Sequence, residues 1–382
     1  VDLALRLAEL ARGLANRRHI PHAVLAVESG GGRFRWTGAF GIATPCRTPM
    51  AVDTPYFLAS IDKMLTAAAV LRLCESGRVA LDTPLTACLP ANLTRGLHRM
   101  DGIDYTDRIT VRHLLGHTSG LADYIEDRPR GGRTLVERLV EEGDFSWTRE
   151  EALDTVRNRM RPHFPPPPAD APRPRPRYCD TNYLLLNALI EETAGQALHA
   201  VYGEMIFRPL GLRRTWLPGH SAPADPAPEP ASLWFRDRAV ALPLAHRSMH
   251  SVFSTAEESI RILRALVTGG LFLRPETFSL MRNPWRRFGF PRDAAALRAP
   301  SWPIEYGLGL MRFRIPRLFT PFRPLPAVIG HTGSTGSWLF YCEDLDLYLA
   351  GNVSQATAGP VPFRFVPKVL RAVGERFPGR ES

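Results

Sequence analysis

β-favouring patterns stand at the two ends of this 382-residue chain, and a long helical stretch separates them. Residues 22–28 (HAVLAVE) and 33–40 (RFRWTGAF) read as two strands joined by Ser29-Gly30-Gly31-Gly32, a hairpin signal. Residues 304–314, 327–331, 337–342 and 345–351 alternate or run apolar, and a closing helix is predicted over 362–376. Between these ends, helices are predicted over 59–75, 110–116, 133–142, 149–160, 181–194, 197–207, 255–268 and 275–282. Such an order implies a mixed α/β (α+β) fold. An antiparallel sheet flanked by helices would be built from residues 1–59 and 290–382. A mostly helical lobe, 60–289, would be inserted, with the site at the interface. The length suits two lobes or one large composite fold.

Composition narrows the function classes. A hydrophobic content of 45% and a charged content of 23% are those of an ordinary globular protein. No apolar run is long enough to span a membrane. The formal net charge is +10, and 46 of the 48 basic residues are arginine. These arginines are scattered and no nucleic-acid motif accompanies them, so a GC-rich genome explains the charge better than a nucleic-acid partner. Five irregularly spaced cysteines with no CxxC indicate neither a disulfide framework nor a zinc site. Residues 1–18 form an amphipathic helix pattern without the apolar centre of a signal peptide. The chain starts at Val1. The expectation is a periplasmic or secreted protein if a leader was removed, and a cytoplasmic one otherwise. Three proline-rich stretches, 162–176, 218–230 and 316–326, read as stiff surface loops.

The chain has two lysines, Lys63 and Lys368. One of them stands three residues after a serine, in Ser60-Ile61-Asp62-Lys63. On a helix, positions i and i+3 share a face, so hydroxyl and amine can meet. A desolvated lysine can lose its proton and activate a serine; an arginine cannot. Ser60 also falls at a helix start, where free N–H groups favour a developing anion. The plain alternative is a capping serine and a snorkelling lysine.

Tyr178-Cys179-Asp180 precedes the helix 181–194. A phenol near an ammonium can act as general acid or base, and Asp180 can accept from Lys63. Alone, the pair reads equally as a loop aromatic and an N-cap. Gly330-His331-Thr332-Gly333-Ser334-Thr335-Gly336-Ser337 lies between two predicted strands. Its glycines let backbone approach a ligand, and its N–H groups could complete an oxyanion hole. Alone, it is a Gly-rich hairpin. His113 and His117 have the i, i+4 spacing of a metal face, but no third ligand is evident and structural roles are expected.

Taken together, the three motifs resemble those of the serine β-lactamase and penicillin-binding-protein superfamily, in its class C β-lactamase, DD-peptidase and esterase branch. Its S-x-x-K, Y-x-N and K/H-T-G motifs match Ser60–Lys63, Tyr178–Asp180 and His331–Gly333. The segments Ile109–Leu121, Phe207–Leu212, Val252–Glu257 and Tyr306–Gly309 are similar to further stretches of that family. The resemblance spans residues 20–375. It implies a β-lactamase/transpeptidase-like fold and no cofactor or metal. It implies Ser60 as nucleophile, with Lys63 and Tyr178 sharing proton transfer. The backbone N–H groups of Ser60 and Ser334 would form the oxyanion hole. Asp180, His331, Thr332 and Gly333 would bind or support substrate, with His331 and Thr332 lining its side.

Two positions depart from the pattern. Asp180 stands where the family has asparagine, and an ionised carboxylate cannot donate to a substrate carbonyl. It should favour protonated Lys63 and push the base role toward Tyr178, held as phenolate. His331 stands where class C β-lactamases carry lysine, so less charge faces a substrate carboxylate. The expected activity is a serine hydrolase acting through an acyl-enzyme on a small ester, amide or peptide. Esterase, D-amino-acid peptidase or DD-carboxypeptidase specificity is expected, with weak or no β-lactamase activity. An acyltransferase using the same acyl-enzyme is the alternative. A penicillin- or muropeptide-binding protein without turnover is the third reading.

Overall fold

A computed structural model of the chain describes residues 2–168, 171, 174–290, 303–315 and 324–376. Val1, residues 169, 170, 172 and 173 of the first proline-rich stretch and residues 316–323 of the third lie outside the described residues, as do 291–302 and 377–382 of the expected sheet lobe.

Eight strands form one antiparallel sheet: β1 (His22–Ser29), β2 (Arg35–Gly41), β3 (Arg286–Arg287), β4 (Glu305–Tyr306), β5 (Met311–Phe313), β6 (Val328–Thr332), β7 (Trp338–Cys342) and β8 (Leu347–Asn352). Their spatial order is β2-β1-β8-β7-β6-β5-β4-β3. The early hairpin therefore docks on the late strands. Val24 lies opposite Asn352, and Ser29 opposite Leu347.

Side chains alternate across this sheet as the strand period requires. Ala23, Leu25, Val27, Phe340 and Leu349 join a cluster with Leu3, Leu7, Ala11 and Leu14 of helix α1 (Leu3–Ala15). Phe365, Val366 and Val369 of the closing helix, 361–376, complete that layer. Val24, Ala26, Leu339 and Ala350 face the other way, onto Ile260 and Leu263. Covered on both faces, β1 can be buried over its first six residues, and its sequence is apolar nearly throughout.

Helix α2 (Lys63–Glu75) is buried along most of its length, from Lys63 through Leu71. An all-round apolar sequence such as MLTAAAVL suits a helix enclosed by others. Helix α4 (Asp180–Ala194) packs against it and against helix α3 (Val111–Leu115). The sequence reading differs from the fold in local ways, of which four matter here. The predicted helix 59–75 starts as a 3-10 turn, Ala59–Asp62. The predicted helix 197–207 becomes an α-turn followed by a π-helix at Gly203–Phe207, where a glycine weakens the regular ladder. The predicted strand 304–314 is two strands, β4 and β5, paired through a turn with Gly309 at φ 73°. A hairpin at Leu233–Phe235 and Arg238–Val240 was not anticipated. No described helix is long and apolar enough to cross a membrane.

Candidate active site

Ser60 sits in the 3-10 turn that leads into α2. The residue before it, Ala59, has φ 51°, a left-handed conformation that costs a non-glycine residue about 1–2 kcal/mol. The surroundings hold it there. Leu58 donates its N–H to the Val252 carbonyl (3.0 Å), and its own carbonyl accepts from Ser337 Oγ (2.7 Å). The turn after β6 closes on the same spot. A Cβ on Gly333 would meet Ser337 Oγ at 2.1 Å and both Leu58 O and Ala59 Cβ at 2.7 Å. Only glycine allows this approach. The Gly-rich segment thus abuts the serine turn, with Ser334 exposed at its tip.

Lys63 is buried and reaches two partners. Its Nζ donates to Ser60 Oγ at 3.2 Å and to Asp180 Oδ1 at 2.5 Å. The side chains of Lys63 and Asp180 are only 5% and 17% exposed. Burial by itself would drive the amine toward neutrality, but Asp180, Tyr178 and Asp62 together outweigh it. Lys63 is held protonated, well above the ordinary lysine range. Its neighbour Asp62 is pushed up to about 7 by burial, against the pull of Lys63.

Asp180 opens α4. Its backbone N–H donates to Asp123 Oδ2 (3.1 Å), and Asp123 also accepts from the N–H of Ile125 (2.9 Å). Thr181 Oγ1 accepts from Tyr124 N–H and donates to the Ala122 carbonyl, at 3.0 and 2.7 Å. Residues 122–125 thereby pin the start of α4 beside α2. Asp123 is buried, and its pKa is raised well above the usual carboxylate range by burial and by Asp180 and Asp127.

Tyr178 is buried, with Lys63 Nζ 5.2 Å from its ring centroid. Its hydroxyl makes no hydrogen bond of good geometry. Burial raises the phenol well above its ordinary pKa; the nearby Lys63 ammonium lowers it, but not enough. The resting phenol is therefore protonated, not the phenolate that the carboxylate at 180 led us to expect.

The β6 side of the site is neutral. His331 is fully buried. Its Nδ1–H donates to the Thr332 carbonyl (2.7 Å), because a carbonyl can only accept, so Nε2 accepts a hydrogen bond from the Tyr306 hydroxyl (3.0 Å). Burial and the Lys63 ammonium hold its pKa down to about 3. Thr332 is also buried, its hydroxyl directed at Met311 Sδ (3.8 Å). Both side chains are directed into the fold and supply no charge to a ligand.

The arrangement is a serine in a strained turn, an ammonium bridging it to a carboxylate, a protonated phenol and a glycine-bearing turn against the serine. The Beta-lactamase family model matches residues 7–365. The chain belongs to the Beta-lactamase family. It is 30% identical to Esterase EstB of Burkholderia gladioli over 336 residues, 80% of this chain and 79% of the esterase. It is 27% identical to Acyltransferase mokF of Monascus pilosus over 301 residues, 72% of this chain and 69% of that protein. Among solved structures, a D-stereospecific amidohydrolase from Streptomyces sp. superposes with a TM-score of 0.69 at 25% identity, covering 97% of this chain and 98% of the other.

The structure of this Beta-lactamase family chain brings Ser60, Lys63, Tyr178 and Asp180 together, and Gly333 lies against the serine turn with Ser334 next to it in sequence. Several neighbours had no site role in the sequence reading, His117 having been weighed only as a metal ligand. His117, Asn182, Tyr183, Tyr306 and Asp123 all enclose the site. His117 and Tyr306 lay inside segments recognised as family-like, and that was the available signal. Among the described residues no group of three or more His, Cys, Asp and Glu is arranged to hold a metal.

Proposed function

We propose that this chain is a serine hydrolase that forms an acyl-enzyme at Ser60 on small, uncharged esters or amides. The observation that carries this reading is the Ser60–Lys63–Asp180 chain, with steps of 3.2 and 2.5 Å at a buried junction. Lys63 is an ammonium at rest, so it becomes a base only by passing a proton on. Asp180 is the acceptor. Ser60 Oγ attacks the carbonyl carbon, its proton moves to Lys63 Nζ, and a Lys63 proton moves to Asp180 Oδ1. Because Lys63 receives the Ser60 proton as it passes one on, it stays an ammonium throughout and the relay needs no free amine. The oxyanion is met by the backbone N–H groups of Ser60 and Ser334. Tyr178, protonated at rest, gives its proton to the leaving oxygen or nitrogen and regains one through Lys63. Water then repeats the sequence in reverse on the acyl-enzyme.

The neutral His331 supports uncharged substrates. Nothing at that position would pair with the carboxylate of a β-lactam or of a peptide C-terminus, so weak or absent β-lactamase activity follows. The likeness to an acyltransferase, at 27% identity, supports a second reading in which an alcohol or amine replaces water. The division into a sheet lobe, 1–59 and 290–382, and an inserted helical lobe, 60–289, belongs to the same proposal, with β3 at Arg286–Arg287 joining the sheet from within the second range.

The test compares wild type with Ser60→Ala on short-chain p-nitrophenyl esters, D-amino-acid amides, a D-Ala-D-Ala peptide and a chromogenic cephalosporin. Ester or amide turnover should fall by at least about 10⁴-fold in the variant. Fluorophosphonate should add one mass adduct to wild type only. No turnover on any substrate and no adduct would sink the hydrolase reading.

A further inference from the structure

His117 is fully buried at the centre of the site and has no part in the proton transfers above. Its backbone lies in the left-handed region, φ 54°, where a bulky residue persists only if its surroundings enforce it. From there it holds a single segment in three ways. Its carbonyl accepts the Arg177 N–H at 2.9 Å. Its Nδ1 accepts the Cys179 N–H at 3.1 Å. Its ring lies against the ring of Tyr178, centroids 4.4 Å apart and planes 33° from parallel.

The tautomer follows from chemistry. A backbone N–H can only donate, so Nδ1 is bare and the ring proton sits on Nε2. Asn182 Nδ2, 3.2 Å away, donates to the same Nδ1, and Asn182 Oδ1 in turn accepts from Ser119 Oγ at 2.6 Å. Nε2 meets no acceptor; the rings of Tyr183 and Tyr306, at 5.1 and 4.7 Å, enclose that imidazole together with Tyr178. Burial and the Lys63 ammonium keep the ring neutral, so no second cation is placed beside Lys63.

The Tyr178 hydroxyl stands near Ser60 and Lys63 but makes no hydrogen bond of good geometry. The tip of the phenol is therefore weakly held, and the body of the residue carries the positioning. We infer that His117 is a positioning residue for Tyr178, clamping residues 177–179 through its carbonyl and Nδ1 while its ring sets the plane of the phenol. A leucine at 117 would fill similar space but strand the Cys179 N–H, and an alanine would leave both the N–H and the ring unsupported. The inference rests on the acyl-enzyme reading, in which Tyr178 protonates the leaving group.

That role predicts a selective defect. A p-nitrophenolate leaves with little help and fluoride needs none, whereas an alkoxide or amine must be protonated as it departs. In His117→Ala, kcat on an alkyl ester or an amide should fall by about 10²-fold with KM within about threefold. Turnover of the matching p-nitrophenyl ester and fluorophosphonate labelling of Ser60 should change by less than about tenfold. His117→Asn keeps an acceptor for the Cys179 N–H and tolerates the left-handed backbone. It should recover most of the loss, leaving a deficit of about tenfold confined to the alkyl ester and amide. Equal losses on both substrate types, in whichever variant folds, or no loss on either, would overturn the inference. Failure of wild type to label would instead strike the acyl-enzyme reading beneath it.

Discussion

Lys63 and His331 are both basic side chains, both buried, and both flank the same serine turn, yet they end in opposite charge states. Lys63 stays an ammonium because Asp180 is 2.5 Å away and Asp62 and Tyr178 add to it. His331 has only a hydroxyl and a carbonyl for partners, which satisfy its nitrogens but do not offset the burial of a charge. Burial alone does not decide ionisation; the partner does. The α4 side of the site is therefore charged and able to move protons, and the β6 side is a neutral brace.

The largest test of this contrast is Lys63→Arg. It preserves the charge but removes the ability to give up a proton, and its planar fork cannot occupy the amine's position between Ser60 and Asp180. Acylation, followed by adduct mass against time, should fall by at least about 10³-fold. Near-normal turnover would mean that charge alone suffices on the α4 side.

Asp180→Asn comes next. Breaking a buried pair by removing one partner costs about 3–5 kcal/mol, and here Asp62 softens the loss. Denaturant unfolding at pH 7 should show wild type more stable by about 2–3 kcal/mol. The sign with pH is fixed by the raised amine. Its stabilisation is complete below the ordinary lysine pKa and fades as pH rises through the higher folded value, so the gap between the two proteins should narrow at strongly alkaline pH. With its proton acceptor gone, ester turnover should drop by about tenfold or more while β-lactam acylation rises. A drop without that rise would break the idea that the carboxylate disfavours penicillins.

His331→Gln probes the neutral side. The folded histidine resists protonation down to about pH 3. Unfolded histidine takes up its proton near 6.5, so its contribution is present above that value and is lost as pH falls toward 3. Thermal melts from pH 7 to 4 should therefore decline less steeply in the variant, by a few degrees at the acid end. The smallest effect belongs to the turn between the two sides. Ala59→Gly relieves the left-handed strain and, after the entropy that glycine adds to the unfolded chain, should stabilise by about 0.5–1 kcal/mol in urea unfolding.

Much of this site was legible before any coordinates. The Ser60–Lys63 spacing allowed hydroxyl and amine to meet and the carboxylate at 180 was open to Lys63; in the fold Lys63 reaches both. Long periodic segments were also legible, such as 181–194 against the observed Asp180–Ala194. The misses have a common cause. The protonation of Tyr178 depends on how deeply residues far away in sequence enclose it, and no local pattern encodes that enclosure. The inward turn of Thr332 depends on Met311, and the bend at Ala59 on Ser337 and Val252. The hairpin at 233–240 is held by Ser354 and Gln355 as well as by the pairing of its own short strands.

The pairing of β1 with β8 has a consequence for how the protein is made. A ribosome delivers the first hairpin early, but its neighbour in the sheet emerges only after residue 352. Until then the serine turn lacks the Ser337 and Gly333 contacts that brace it, although Ser60, Lys63 and Asp180 have long been synthesised. Non-local closure of this kind is slow and leaves a strand edge waiting for its mate. Reactivity at Ser60 is thus a late event in the life of the nascent chain. A covalent serine probe would report completed folding of both ends at once, and a chain cut short before β6 would carry the nucleophile without the means to use it.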